Sequence, residues 1–363
     1  MADSTATRTV LEQYIDPYLR QSLAESGSLR DVLIDEQGIH VSAVLGIPVA
    51  GYEEKFRLGL QAHLAASGHS KLPLQLKLSS AIVAHSVQRS LKPLPGVSNI
   101  VAVASGKGGV GKSTVAVNLA LAWSQAGARV GILDADIYGP SQPLMLGLEG
   151  QRPTAPDGKH LVPLEAHGIK AMSIGFLVDA AQALVWRGPM VTQALTQLLS
   201  DTAWGELDYL VVDMPPGTGD IQLTLSQRVP VAGAVIVTTP QDIALADARK
   251  GLAMFEKVSV PVLGVVENMS LHVCTHCGHV EHIFGAGGGR SMAAEYEVQL
   301  LGELPLDARI REEADSGRPS VIAAPGSPRA LAYVEMARHT AGALARRGRD
   351  RSALFPKIVV EES

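Results

Sequence analysis

The stretch Gly106-Lys-Gly-Gly-Val-Gly-Lys-Ser-Thr114 decides the fold, because it contains the Gly-x-x-x-x-Gly-Lys-Ser/Thr pattern of a phosphate-binding loop. An apolar run over 100–104 precedes it, and apolar residues with helical spacing follow it over 115–123. Strand, loop and helix in this order point backbone N–H groups at phosphate oxygens. We therefore expect a nucleoside triphosphate to bind at Gly106, Lys107, Gly108, Gly109, Val110, Gly111, Lys112, Ser113 and Thr114.

Individual side chains suggest how this loop and its surroundings hold the triphosphate and Mg²⁺. Lys112 is expected to pair with the β- and γ-phosphates, and the Ser113 hydroxyl to complete a Mg²⁺ shell. Asp134 and Asp136 follow the second strand candidate, and Asp213 closes a later one. Carboxylates at strand ends suit Mg²⁺, held directly or through water, although such residues also cap helices.

Two further residues point to phosphate recognition. Gly217 lies in the turn Pro215-Pro-Gly-Thr-Gly219, where its N–H is placed to sense a γ-phosphate. Lys107 is too near the start of the loop to reach the same phosphates from the side of Lys112. It is interpreted as crossing to a nucleotide on a partner subunit and adding positive charge there, as an arginine finger does. The alternative is an ordinary exposed lysine.

The rest of the chain reads as an α/β protein. From Asn99 onward strand candidates alternate with helical patterns, and several are apolar throughout, which favours a mostly parallel sheet between helices. We predict a small α+β domain over 1–90, a linker over 91–98, a P-loop NTPase domain over 99–350 and a tail over 351–363. The strand candidates are Ile100–Ser105, Arg129–Leu133, Ile169–Ile174, Tyr209–Asp213, Ala234–Thr238 and Val262–Glu267.

Patterns in the N-terminal segment predict its elements. A helix is expected from Thr7 to about Ala24, and a second from Tyr52 to Ala66. Strands are expected at 31–34, 39–45 and 74–78, the last alternating strictly between apolar and polar residues.

Composition excludes several classes of protein. The 363 residues carry a net charge of −5, which argues against broad nucleic-acid binding. No apolar run reaches membrane-spanning length and no signal peptide is evident, so we expect a soluble cytoplasmic protein without a membrane partner. A basic cluster near the C-terminus is interpreted as the solvated end of the last helix: Arg346, Arg347, Arg349 and Arg351.

The only cysteines are Cys274 and Cys277, separated by two residues. Such a pair indicates a metal site, a redox pair or coincidence, and the redox pair is weakened by the absence of a helix start after Cys274. A [4Fe–4S] cluster needs four thiolates, so two chains would have to share it. Zinc is equally supported by the residues alone, because a Cys₂His₂ site within one chain needs two histidines and four lie around the cysteines: His272, His276, His279 and His282.

Six motifs together make the chain resemble a known family. Its loop with the extra Lys107 is similar to that of the deviant Walker A ATPases, which include MinD and ParA. Within that group the sequence most resembles the Mrp/ApbC family of iron–sulfur cluster carriers. Besides the loop, the resemblance rests on residues 94–100, 134–141, 187–189, 213–220 and 267–270.

The resemblance implies a function and a set of roles. It implies an ATP-hydrolysing homodimer that binds a [4Fe–4S] cluster between the Cys274 and Cys277 pairs, takes it from cluster donors and delivers it to apo-proteins. Lys107 would reach across the dimer, Asp136 would position the attacking water, and Asn268 would contact adenine. The family's N-terminal domain usually carries a cysteine where this chain has none, in 47–52, so a docking role is expected for it. The alternative is a MinD/ParA-like positioning ATPase whose Cys/His loop holds zinc.

Overall fold

The computed structural model describes residues 4–69, 72–88, 91–177 and 188–348. The predicted tail over 351–363, Arg349, Arg351 and the first residue of the 187–189 motif lie outside the described residues. In the described part of the chain, no helix is both long and apolar enough to cross a membrane.

The N-terminal segment forms a three-stranded sheet in the order β1-β2-β3, antiparallel between β1 and β2 and parallel between β2 and β3. Its elements are α1 (Ser4–Glu12), α2 (Leu23–Ser26), β1 (Leu29–Asp35), β2 (Gly38–Leu45), α3 (Glu53–Ala66) and β3 (Leu74–Ser80). Helix α3 packs its buried residues Phe56, Leu60 and Leu64 into the core. The helix predicted at 52–66 and the three predicted strands are all present.

The single long helix predicted over 7–24 is wrong. Helix α1 ends at Glu12, and only the short α2 follows. A helix cannot run on through Asp16-Pro17, because a residue before proline is driven out of helical geometry. The Asp16 carboxylate then accepts the N–H groups of Tyr18 and Leu19, both at 2.8 Å, and so stabilises a turn where the pattern predicted helix.

A nine-stranded sheet makes up the rest of the molecule, in the order β11-β10-β9-β4-β8-β5-β7-β6, with β12 also paired to β10. Its strands are β4 (Ile100–Ser105), β5 (Val130–Asp134), β6 (Leu164–Ala166), β7 (Ile169–Ser173), β8 (Tyr209–Asp213), β9 (Gly233–Thr238), β10 (Val262–Val273), β11 (Val280–Glu281) and β12 (Gln299–Pro305). The helices are α4 (Lys112–Gln125), α5 (Gln142–Met145), α6 (Gly188–Asp201), α7 (Asp220–Arg228), α8 (Asp242–Lys257), α9 (Gly288–Glu295), α10 (Ala308–Asp315), α11 (Ser320–Ala323) and α12 (Pro328–Ala345).

The six strands predicted in this region are all present, and their pairing confirms the α/β fold. Strands β4, β5, β8 and β9 are buried along their whole length, as their continuous apolar sequence requires. Among the described strands of this sheet, only the β6–β7 and β10–β11 pairs are antiparallel. Strands β4, β5, β8 and β10 run parallel to one another in this sheet, so their carboxyl ends lie along the same edge.

The two sheets are joined by contacts onto helix α12. Lys55 of α3 bonds the Tyr18 hydroxyl at 2.6 Å and pairs with Glu335 of α12 at 3.1 Å, and the Tyr18 hydroxyl donates to Glu335 at 2.7 Å. Gly342 is required here, since a Cβ would lie 2.2 Å from the Tyr18 carbonyl oxygen.

The solvated role predicted for the basic cluster is wrong for Arg346. Its guanidinium is half-buried and donates to the carbonyls of Tyr18 and Leu19 at 3.2 and 3.0 Å. It therefore helps to hold the N-terminal segment against α12. Composition near the end of the chain gave no sign of this, because the partners are backbone atoms distant in sequence.

Candidate nucleotide site and cysteine hairpin

The phosphate-binding loop has the predicted strand–loop–helix geometry. Strand β4 ends at Ser105, and α4 begins at Lys112 directly after Gly111, whose φ of 83° suits only glycine. Gly106 allows α8 to approach, because a Cβ there would lie 2.2 Å from the backbone of Asp247. Around Gly109 a Cβ would meet nothing within 4 Å, so the space above the loop is open. The loop fits a phosphate chain at this edge of the sheet.

Lys112 and Asp213 form a buried ion pair below the loop. The lysine is 5% exposed and the aspartate 0% exposed. The Lys112 ammonium also donates to the Ser113 hydroxyl at 3.2 Å. Three of the residues predicted to hold phosphate and Mg²⁺ therefore lie together, and Asp213 takes the position on Lys112 that phosphate oxygens would occupy.

Gln142 is a site residue that sequence reasoning missed. Its amide nitrogen donates to the Asp213 carboxylate at 2.9 Å and to the Ser113 carbonyl at 3.1 Å. Its amide oxygen is buried and accepts no hydrogen bond from any residue that the structure describes. A buried oxygen without a partner, on a side chain bonded to the Asp213 carboxylate and the Ser113 backbone, fits a hydrated Mg²⁺ ion at this place. Glutamine carries no motif signal, so only the fold reveals it.

Asp134 organises the loop that carries Asp136. The Asp134 carboxylate accepts the N–H groups of Ser141 at 2.9 Å, Gln142 at 3.0 Å and Asp136 at 3.1 Å. Burial, together with the nearby Asp213, raises the pKa of Asp134 to about 7. Asp136 is half-buried, and burial raises its pKa as well, against the opposing charge of Lys112. Both carboxylates therefore face the site, but Asp134 is already bonded to the loop.

Gly217 and Lys107 differ in how the structure places them. The Gly217 N–H donates to the Ser105 carbonyl at 3.0 Å, so in this conformation it is not available to a γ-phosphate. This differs from the sequence expectation, because the Pro-Pro-Gly turn folds back onto β4. Lys107 is half-buried at the loop and forms no ion pair within the described residues.

Asn268 lies directly against the phosphate-binding loop. Its amide donates to the Val110 carbonyl at 2.8 Å, and the side chain is 5% exposed. A Cβ at Gly111 would lie 2.2 Å from the Asn268 amide nitrogen, so the Asn268 side chain can take this position only beside a glycine. Strand β10, which carries Asn268, is thereby bonded to the loop.

Strand β10 continues into a hairpin with β11, and the two cysteines lie at its tip. The pairing runs His272 to Glu281 and Val273 to Val280, and the Cys274 N–H donates to the His279 carbonyl at 2.9 Å. Cys277 is exposed and Cys274 partly so. The backbone N–H groups of Cys277 and His276 bond the Cys274 sulfur and lower the pKa of that thiol. A thiolate favoured in this way is a ready ligand for a soft metal.

The four histidines do not join the cysteines in a single-chain zinc site. His272 and His282 bond the carbonyls of Leu306 and Ser270 through Nδ1, at 2.9 and 2.8 Å. Across the described residues, no group of three or more histidine, cysteine or acidic side chains is arranged to hold a metal ion. The Cys₂His₂ arrangement considered from the sequence is not assembled within one chain.

Comparisons with known proteins show which proteins this chain is similar to. An iron–sulfur cluster carrier protein of Pseudomonas fragi is 62% identical over 72% of this chain and 92% of its own length. The Escherichia coli K12 iron–sulfur cluster carrier protein is 51% identical over 92% of this chain and 90% of its own. A nucleotide-binding protein of Archaeoglobus fulgidus, solved in complex with ADP, matches with a TM-score of 0.57 and 39% identity over 65% of this chain and 91% of that one.

A protein-family model also matches this chain, over most of its length. The model for ParA, described as NUBPL iron-transfer P-loop NTPase, matches residues 96–341, which span the loop, the Asp213 turn and the cysteine hairpin. The resemblance noted from the motifs is thereby confirmed, and this chain belongs to the ParA/NUBPL family of iron-transfer P-loop NTPases.

Proposed function

We infer that this protein carries an iron–sulfur cluster on Cys274 and Cys277 and passes it to apo-proteins. The observation that carries this proposal is the hairpin tip, where backbone N–H groups stabilise a partly exposed thiolate beside a second, exposed cysteine. A cargo site needs such access, because donors and recipients must both reach the cluster. The high identity to iron–sulfur cluster carrier proteins supports the same function. A positioning ATPase with a zinc-bound hairpin is not favoured, since the similar proteins are named iron–sulfur cluster carriers and no metal-holding group of three or more histidine, cysteine or acidic side chains is assembled among the described residues.

We further propose that the cluster is a [4Fe–4S] cluster bridging a homodimer. Each chain supplies only two thiols, and a cubane cluster takes four thiolates. The hairpin is flanked by apolar side chains that are about half exposed: Val273, Val280 and Ile283. A second copy would cover them. Thiols that hold such a cluster persist in a reducing compartment, and we propose the cytoplasm.

The nucleotide is proposed to be ATP with Mg²⁺, hydrolysed in the dimer. Lys112 would exchange Asp213 for the β- and γ-phosphates, and Mg²⁺ would bind the Ser113 hydroxyl with Asp213 and Asp134 nearby. The partnerless oxygen of Gln142 supports a hydrated ion at this place. Mg²⁺ supplies charge neutralisation between the phosphates. In the same proposal Asp136 positions the attacking water, and Asn268 contacts adenine from its place on β10 beside the loop.

The test is anaerobic reconstitution with iron and sulfide on the wild-type chain, on Cys274→Ala/Cys277→Ala and on Lys112→Ala. We expect thiolate–iron absorption from the wild type and from Lys112→Ala, and none from the double cysteine variant. In cells, Lys112→Ala is expected to abolish delivery. Equal absorption from wild type and the double variant contradicts the cluster assignment, and failure of Lys112→Ala to load contradicts separate roles for the two sites.

A further inference from the structure

Glu267 is a buried carboxylate to which the nucleotide and cluster sites give no role. It is 0% exposed in the middle of β10. Its carboxylate accepts the Ser270 hydroxyl at 2.8 Å and the backbone N–H of Gly289. Among the described residues, no lysine, arginine or histidine pairs with it. A buried carboxylate with only neutral donors is costly to maintain, so its place calls for a reason beyond packing.

One of its two hydrogen-bond donors, Gly289, belongs to the segment that returns from the cysteine hairpin, and the other, Ser270, lies on β10 itself. Gly289 is the second residue of α9, where the first turn leaves backbone N–H groups without helical partners and favours a negative charge. The Ser270 carbonyl in turn accepts His282 Nδ1–H at 2.8 Å. Both ends of the return segment 282–289 are therefore bonded to one short stretch of β10, residues 267–270.

The same stretch of β10 is bonded to the phosphate-binding loop. Asn268 follows Glu267 directly, so their side chains leave opposite faces of the strand. The Asn268 amide reaches the Val110 carbonyl at 2.8 Å, and Glu267 holds Gly289 so closely that a Cβ on that glycine would lie 2.9 Å from the Glu267 Cβ. Six residues after Asn268 the chain reaches Cys274. One strand, whose pairing register with β12 shifts between Glu267 and Leu271, thus contacts both the nucleotide loop and the base of the hairpin.

We propose that Glu267 is a positioning residue that makes the cysteine hairpin move as one body with the phosphate-binding loop. When phosphate binding shifts the Val110 carbonyl, Asn268 and β10 move with it. Glu267 then carries the start of α9, and with it the return segment, in the same direction. Without the charged carboxylate the return segment is held less firmly, and the two cysteines keep their grip on cargo whatever the nucleotide state. This inference rests on the proposed cluster-carrying function.

The test compares Glu267→Gln with a matched control, Glu303→Gln. Glu303 is paired with Glu267 in the sheet register and bonds Arg290 of the same helix α9, but it lies at the surface. Each chain is loaded with cluster, and the rate at which excess iron chelator captures the iron is measured with and without Mg²⁺-ATP. The readout is the ratio of the two rates, which stays unchanged when a variant speeds both rates by the same factor.

We expect Glu267→Gln to load the same thiolate–iron absorption and to bind nucleotide as the wild type does. Its rate ratio is expected to fall toward one, a loss of about fivefold or more in coupling. Glu303→Gln is expected to keep the wild-type ratio. Should Glu267→Gln fold poorly, Ser270→Ala removes one donor to the same carboxylate and is expected to lower the ratio in the same direction.

Equal ratios in wild type and Glu267→Gln overturn the inference while leaving the carrier function intact. A wild-type chain that loads no cluster at all contradicts the proposed function instead, and the absorption of the loaded protein distinguishes the two failures.

Discussion

Replacing Asp213 with asparagine is predicted to tighten nucleotide binding in the absence of Mg²⁺. In the nucleotide-free protein Lys112 is 5% exposed and its ion-pair partner Asp213 is fully buried. A bound phosphate must take Lys112 away from this carboxylate, which also repels the phosphate. Without a metal ion to bind the Asp213 carboxylate, Asp213 therefore competes with the nucleotide for Lys112.

The size of the effect follows from the burial of the pair. Removing one partner of a buried ion pair destabilises a protein by about 3–5 kcal/mol, because the other charge remains uncompensated. We expect Asp213→Asn to lower the free energy of unfolding of the nucleotide-free chain by about 3 kcal/mol. If phosphate restores half of that loss, Mg²⁺-free nucleotide binds about tenfold more tightly.

The assay is titration with a fluorescent ADP analogue in EDTA, with urea unfolding measured in parallel. The control is Asp208→Asn, which removes a carboxylate paired with the exposed Arg129 just ahead of the same strand. Asp208→Asn is expected to leave nucleotide affinity unchanged. Equal or weaker Mg²⁺-free binding by Asp213→Asn would refute the competition between Asp213 and phosphate for Lys112.

Three other variants test neighbouring parts of the account. Gln142→Leu is expected to weaken the apparent Mg²⁺ affinity of the nucleotide complex about tenfold, because it removes a group next to the water shell of the ion, and to leave Mg²⁺-free nucleotide binding unchanged. An unaltered Mg²⁺ titration counts against a role of Gln142 beside the metal ion. Lys107→Ala should bind nucleotide but not hydrolyse it. Mixing it with Lys112→Ala should restore ATPase activity, because one chain keeps Lys112 to hold the nucleotide and the other keeps Lys107 to reach across to it. An inactive mixture contradicts a lysine acting across the dimer. Burial raises the pKa of Glu335, but hydrogen bonds from Tyr18 and Lys55 lower it by more, so the folded-state pKa lies below the ordinary value of 4.5. The ionised carboxylate therefore stabilises the fold above pH 4.5, and this stabilisation is lost as the pH falls through the folded-state pKa. Glu335→Gln should therefore cost about 1 kcal/mol in urea unfolding at pH 7 and less at pH 4, and an equal cost at both would exclude the ionised carboxylate as its source.

Much of the site was readable from sequence because its signals are local. The loop at 106–114 has fixed spacing, and strands buried on both faces show as continuous apolar runs, so β4, β5, β8 and β9 were placed to within a residue. Asp213 could be assigned to the site because it closes one of those strands. The cysteine pair was visible for the same reason, as two thiols at short spacing.

The residues that sequence reasoning missed act through contacts between distant segments. Gln142 gains its role only because α5 begins beside Asp213. Glu267 lies in the 267–270 motif, but its bond to Gly289 exists only because α9 begins beside β10. Neither contact leaves a periodic trace. The helix predicted through Asp16 failed for a local reason, since the weak apolar pattern was followed across an Asp-Pro pair that ends helices. Arg346 was misjudged because its partners are carbonyls of the N-terminal segment.

The most direct measurement is the content of iron, sulfide and zinc in anaerobically purified protein, expressed per dimer and repeated on Cys274→Ala/Cys277→Ala. A cluster shared by two chains predicts four iron and four sulfide per dimer, no stoichiometric zinc, and loss of both iron and sulfide in the double variant. One zinc ion per chain with no sulfide would contradict the account.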